Sequence, residues 1–199
     1  MELLETIKCK DGRLFNLPYH QARFNLALTK FFPGAQKPEL SELIKIPESC
    51  ASGLFKCRVV YSEKIKLIEF LPHQYRPVNS IRLVEANNIN YSCKYANRNA
   101  LQQLFSQRGG CDDILMVKQD CITDSFTANP VFFDGIKWWT PDTPLLAGTQ
   151  RARLLAENKI SLCRVTLNNL HRFTKIGLIN ALQDMSDMPV IPISQLKHQ

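Results

Sequence analysis

The chain has 199 residues, 45% of them hydrophobic and 22% charged, with a formal net charge of +7. That composition excludes a disordered or fibrous polymer, and the length allows a substantial core, as one larger domain or two small ones. No run approaches the roughly 20 apolar residues of a membrane span, and the opening MELLETIKCKDGR lacks the basic head and apolar stretch of a secretory leader, so a cytoplasmic protein without membrane partners is expected.

In chain order, LETIKCKDGRLFNL predicts two short strands around Asp11-Gly12, a strong hairpin signal. PYHQARFNLALTKFF predicts a helix with Phe24, Leu28 and Phe31 on one face, ended by Pro33-Gly34. A weak helix near Glu39 to Ile44 precedes two more strands, GLFKCRVVYS and KIKLIEFLPH. This first lobe spans 1–85, with its boundary near Pro77 to Ala86. The second, 86–199, offers a helix from Asn97 to Arg108 and strands at DDILMVK, CITDS, NPVFFDG and KWWTP. A helix at GTQRARLLAEN follows, and TLNNLHRFTKIGLINAL holds a helix and a strand in either order. The fold class is therefore α+β in two lobes.

Lysines and arginines are spread along the chain without a dense block or a binding module, so no nucleic-acid partner is expected. The seven cysteines, Cys9, Cys50, Cys57, Cys93, Cys111, Cys121 and Cys163, include no C-x-x-C pair. That pattern fits free thiols in a reducing compartment and no metal site.

Three polar features stand on these elements. Asp124 follows an apolar strand and is succeeded by Ser125, Thr127 and Asn129, a spacing that suits either a turn or side chains directed to one side of an extended segment. Gly148-Thr149-Gln150 opens a helix, as a plain N-terminus or as a phosphate cradle. Lys94, within YSCKYAN, either snorkels or serves as an amine nucleophile with a depressed pKa.

Taken together, KYANRNAL (94–101), DDILMVKQDCITDSFTANPVFFDG (112–135), TPDTPLLAGTQRARLL (140–155) and INALQDMSDMPVIP (179–192) resemble, in order and spacing, the class IV aminotransferases. These are the fold-type IV pyridoxal-phosphate enzymes, which include branched-chain and D-amino-acid aminotransferases and 4-amino-4-deoxychorismate lyase. LETIKCKDGRLFNLPYHQARFNLA is similar to their first-lobe segment, with Glu-Thr, a hairpin and then His-x-x-Arg. The resemblance implies a D-amino-acid-aminotransferase-like fold with the cofactor between lobes, a homodimer, and a small-molecule amino substrate. It also implies Lys94 as the Schiff-base lysine, Asp124 as the partner of the ring nitrogen, and Arg23, Thr149, Gln150, Asn180 and Ala181 around the phosphate. Asn129 joins the cofactor-binding set.

The Lys-x-x-Asn-Arg and Asn-Ala-Leu elements are most similar to the lyase, which makes pyruvate and 4-aminobenzoate the implied products and a branched-chain or D-amino-acid transaminase the alternative. Two departures accompany the resemblance. The family usually has a few tens of residues ahead of Glu5-Thr6, including a Tyr-Gly-Asp-Gly stretch, and its ring acid is commonly Glu where this chain has the shorter Asp124. Arg58, Tyr61 and Arg98 are candidates for a substrate carboxylate with none preferred. His20 is expected to pack or cap near the Arg23 helix, and Trp138 and Trp139 to fill the second-lobe core.

Overall fold

The computed structural model describes residues 1–197. The chain divides into two compact units, Met1–Tyr75 with Cys93–Asn97, and Arg76–Ser92 with the chain from Arg98 onward.

In the first unit, β1 (Leu3–Lys10) pairs antiparallel with β3 (Leu54–Tyr61) along its whole length, and the sheet order is β2-β1-β3-β4, with β2 at Arg13–Leu14 and β4 at Ile65–Pro72. The β1–β2 turn places Asp11 at φ 48° and Gly12 at φ 71°, the two left-handed positions that a tight hairpin needs and that Asp-Gly supplies cheaply. Helix α1 (Leu17–Phe31) buries His20, Phe24, Ala27 and Leu28, a stripe at helical spacing. Their apolar members join Leu3, Ile7, Val59 and Tyr61 in the core, along with Leu40 from α2 (Leu40–Leu43). Phe24 meets the Tyr61 ring edge-on at 4.6 Å between centroids. Residues 93–97 return to this unit: Leu4 N–H donates to the Lys94 carbonyl at 2.9 Å, Ala96 N–H donates to the Glu2 carbonyl at 2.9 Å, and Tyr95 bridges Leu3.

The second unit holds two sheets. In one, β5 (Ile81–Glu85) runs parallel to β6 (Asp113–Lys118), which turns back antiparallel as β7 (Cys121–Ser125). The other has β8 (Asn129–Phe133) between β9 (Trp138–Pro141) and β11 (Lys175–Ile179), with β10 (Ser161–Cys163) and β12 (Val190–Pro192) at its edges. A short β13 (Leu196–Lys197) pairs with β5. One apolar core takes Ile81, Leu115 and Ile122 from the first sheet and Phe132, Ile176 and Ile191 from the second, so each sheet covers the other's inner face. Each such side chain contributes about 1.5–3 kcal/mol against leaving it in water. Helices α3 (Asn99–Ser106) and α4 (Thr149–Ala156) complete the unit.

This division differs from a boundary at residue 85 in two places. Strand β5 belongs to the second unit because its ladder is with β6, and 93–97 belong to the first because their backbone bonds to β1. In 166–182 the helical element comes first, as a 3-10 helix at Leu167–Arg172, followed by β11. All seven cysteines are free thiols, and burial pushes Cys57 up to about 12. No helix among the described residues is long and apolar enough to cross a membrane.

Candidate active site

A buried polar arrangement of the second unit lies where β7 passes into β8. Asp124, 6% exposed, ends its Oδ1 on Asn129 Nδ2 at 2.5 Å, while its Oδ2 accepts the backbone N–H of Leu145 and, at 3.4 Å, that of Leu146. Burial raises the carboxyl to about 7, against the lowering influence of those N–H groups, the Arg151 charge and Asn129. A carboxylate in apolar surroundings resists ionising until a cation arrives.

Asn129 is equally committed. Its Nδ2 also reaches the Leu146 carbonyl at 2.9 Å, and its Oδ1 accepts Gly148 N–H at 3.1 Å. One carboxamide therefore ties the acid to the turn that opens α4. Gly148 has an ordinary φ of −69°, so its need for glycine is spatial: a Cβ there would stand 2.1 Å from Asn129 Oδ1. Thr149 and Gln150, both 3% exposed, are the first residues of α4. Arg151 is buried and anchors the helix through Nη2 to the Pro141 carbonyl at 2.8 Å.

The loop after β11 is built around Asn180, whose Oδ1 accepts the N–H groups of Leu182 at 2.9 Å and Gln183 at 3.1 Å. The Asn180–Gln183 backbone bonds, at 3.2 and 3.1 Å, close a turn with Ala181 and Leu182 at its centre. Arg153 on α4 bonds Asp184 just beyond, linking this turn to the helix that carries Thr149 and Gln150.

In the first unit, Arg23 forms a two-pronged pair with Glu5, Nε to Oε1 at 2.8 Å and Nη2 to Oε2 at 2.6 Å. His20 Nδ1 lies 2.5 Å from the same Oε2. Burial alone would raise the Glu5 carboxyl, but the Arg23 charge and the His20 and Arg23 hydrogen bonds outweigh it and hold the group at about 2. Burial likewise depresses His20, with Arg23 and Lys94 adding to the effect against Glu5. A ring nitrogen that meets a carboxylate does so as an N–H donor, so Nδ1 carries a proton in this contact. Lys94 is thus electrostatically coupled to the cluster that holds Arg23. His20 packs beside Arg23 as its helix position implied, but as a hydrogen-bonded partner of Glu5.

Arg58, Tyr61 and Arg98 have other occupations. Arg58 pairs with Glu69, and Tyr61 is 2% exposed in the core. Arg98 Nη2 donates to the Phe126 carbonyl at 2.6 Å and its guanidinium lies 4.4 Å from the Phe126 ring centroid, which steadies the loop between Asp124 and Asn129. Trp138 and Trp139 are half-buried at core edges, with Trp139 Nε1 on Asp134 at 2.6 Å. The sequence marks Glu5 only through the Glu-Thr resemblance, without a role. The signal for one is an acid in the inward stripe Leu3, Glu5, Ile7, Cys9 of an alternating strand.

Residues 2–196 match amino-transferase class IV. The chain belongs to that family. An uncharacterized protein of Haemophilus influenzae is 34% identical over 185 residues, covering 92% of this chain and 98% of that protein. A Haemophilus somnus structure provisionally named 4-amino-4-deoxychorismate lyase is 33% identical, with a TM-score of 0.88 over 92% of this chain and 97% of its own. A hypothetical aminotransferase from Mycobacterium tuberculosis, solved in a PLP-bound form, has a TM-score of 0.78 at 15% identity, covering 98% of this chain and 81% of that one, a likeness of fold. The class IV fold, with mixed helix and strand, is thereby shown.

Proposed function

We propose that this class IV enzyme uses pyridoxal 5'-phosphate and acts as a 4-amino-4-deoxychorismate lyase. The observation that carries the cofactor reading is the geometry of Asp124, a buried carboxyl that among the described residues accepts three N–H bonds, none of them from a cationic side chain, with the Arg151 charge acting on it only through space. A carboxylate has about four acceptor positions, so room remains for a protonated ring nitrogen, and that charge would restore the acid to its ionised form. The donor set fits the rest of the cofactor: a primary amine at Lys94, a guanidinium at Arg23, and the helix-opening turn at Thr149 and Gln150 for a dianion. Asn180 and Ala181 supply a second backbone turn.

When bound, pyridoxal phosphate supplies an aldehyde that condenses with amines and a pyridinium ring that accepts electrons. Lys94 would hold the aldehyde end of the cofactor, and its amine would move the proton at the substrate carbon that bears nitrogen. Asp124 would keep the proton on the ring nitrogen. Arg23, Thr149, Gln150, Asn180 and Ala181 bind the phosphate, and Asn129 fixes the Asp124 carboxylate relative to the α4 turn. A cytoplasmic homodimer completes the reading, and light scattering on purified protein tests the dimer.

The lyase preference is supported by the Lys-x-x-Asn-Arg and Asn-Ala-Leu elements and by the 33% identity to the Haemophilus somnus protein of that provisional name. The alternative is a transaminase acting on branched-chain or D-amino acids, which shares Lys94 and Asp124. The reactions differ in their need for a second substrate. Release of pyruvate and 4-aminobenzoate from aminodeoxychorismate with no added keto acid supports the lyase; absence of both, with steady amino transfer to 2-oxoglutarate, decides for the transaminase.

A further inference from the structure

We propose that Glu5 is a positioning residue for phosphate recognition: its buried carboxylate fixes the Arg23 guanidinium so that the remaining donor edge faces the cofactor phosphate. The inference rests on the reading that Arg23 meets that phosphate.

The geometry divides the guanidinium into two edges. Nε and Nη2 are spent on Glu5 at 2.8 and 2.6 Å, whereas Nη1 donates to no group among the described residues and 16% of the side chain remains exposed. Glu5 is itself anchored by the 2.5 Å contact with buried His20 on the same helix, one turn before Arg23. Its backbone is fixed by the Glu5–Val59 register of the β1–β3 ladder. A carboxylate so held is a template for a planar fork, which has little freedom once two parallel bonds are made.

Stability is a poor reason for this acid. The other inward residues of β1 are Leu3, Ile7 and Cys9, all fully buried, and an apolar side chain of similar volume commonly serves a core as well as a buried ion pair does. The pair has a cost, since Glu5 offsets part of the Arg23 charge that a dianion would otherwise meet. What Glu5 contributes in return is orientation, and orientation has a signature that loss of charge does not share.

The test compares pyridoxal phosphate with pyridoxal, which has the same aldehyde and ring but no phosphate. Both are titrated into cofactor-free protein by absorbance, in the parent, Glu5→Gln, Arg23→Gln and the double variant. The parent should prefer the phosphorylated form, and Glu5→Gln should reduce that preference about tenfold or more while pyridoxal affinity stays unchanged. In the Arg23→Gln background the Glu5 change should have no further effect. Should Glu5→Gln fail to fold, Glu5→Asp, which keeps the charge and withdraws it by one methylene, carries the same comparison.

An undiminished preference, equal loss for both ligands, or tighter phosphate-ligand binding in the Glu5 variant overturns the proposal. The last would mark Glu5 as a competitor for the guanidinium. A parent that does not distinguish the two ligands overturns the phosphate role of Arg23 as well.

Discussion

Asp124 and Asn129, five residues apart on the consecutive strands β7 and β8 of different sheets, share a 2.5 Å hydrogen bond from the amide to the carboxylate. Because Asn129 also receives Gly148 N–H, the bond connects an acid to a helix N-terminus. The amide's other contact, Nδ2 to the Leu146 carbonyl at 2.9 Å, lies in the same unit.

Removing that connection should be costly. Asn129→Ala leaves the Leu146 carbonyl and Gly148 N–H without their buried partner and withdraws a donor from Asp124. The expected loss is about 1–3 kcal/mol of stability, and a further rise of the Asp124 pKa, since a bond favouring its ionised form is gone. Turnover at saturating cofactor should drop about tenfold or more. Denaturant melts alongside steady-state rates check both, and parent-like values in both would show that the bond is incidental.

The raised Asp124 pKa has a defined consequence for stability. Its folded value of about 7 lies above the ordinary 3.8, so the native state binds the proton more tightly than the unfolded chain. Its contribution is full below about pH 4 and is lost as pH rises through about 7. Asp113, raised to about 6 mainly by burial, acts in the same direction, whereas Glu5, held at about 2, loses its contribution only in acid. Cofactor-free protein should therefore lose on the order of 1–3 kcal/mol between pH 5 and 8 on account of Asp124. Asp124→Asn should flatten that part of the profile and reduce turnover by orders of magnitude. Superimposable pH profiles for the two proteins would place the titration elsewhere.

Gly148 tests the same connection from the helix side. A methyl group 2.1 Å from Asn129 Oδ1 cannot be accommodated, and Asn129 is held by Asp124 and Leu146, so it cannot yield. Gly148→Ala should weaken cofactor binding about tenfold or more and destabilise the fold by about 1–3 kcal/mol, although φ at this position suits alanine. Titration of the variant with pyridoxal phosphate measures the first effect; parent-like affinity would mean that the α4 turn can shift without consequence.

The elements that were legible in the sequence are those with a strong local signal. Asp11-Gly12 marked the hairpin, Phe24 and Leu28 marked the buried face of α1, and the alternating segments from residue 112 to 141 marked β6 through β9. Strand β5 was not, because IRLVE is short, lies between polar stretches, and owes its place to parallel pairing with β6 some thirty residues on. Context of that kind overrides local propensity. The return of 93–97 to the first unit depends on backbone bonds to β1, which carry no side-chain code.

In the candidate site, the spacing of Asp124 and Asn129 allowed one-sided presentation, but a turn explained it equally well until the contacts with Leu145, Leu146 and Gly148 were located. Arg23 is a candidate phosphate donor by resemblance alone. That two of its donors are engaged by Glu5 follows only from the packing of α1 on β1.

The central claim is that Lys94 holds pyridoxal phosphate, and borohydride reduction of the cofactor-loaded protein followed by peptide mapping tests it most directly. The account predicts the pyridoxyl group on Lys94, within the peptide that contains KYANR. Its appearance on another lysine, or no stable adduct at all in protein saturated with cofactor, would contradict the account.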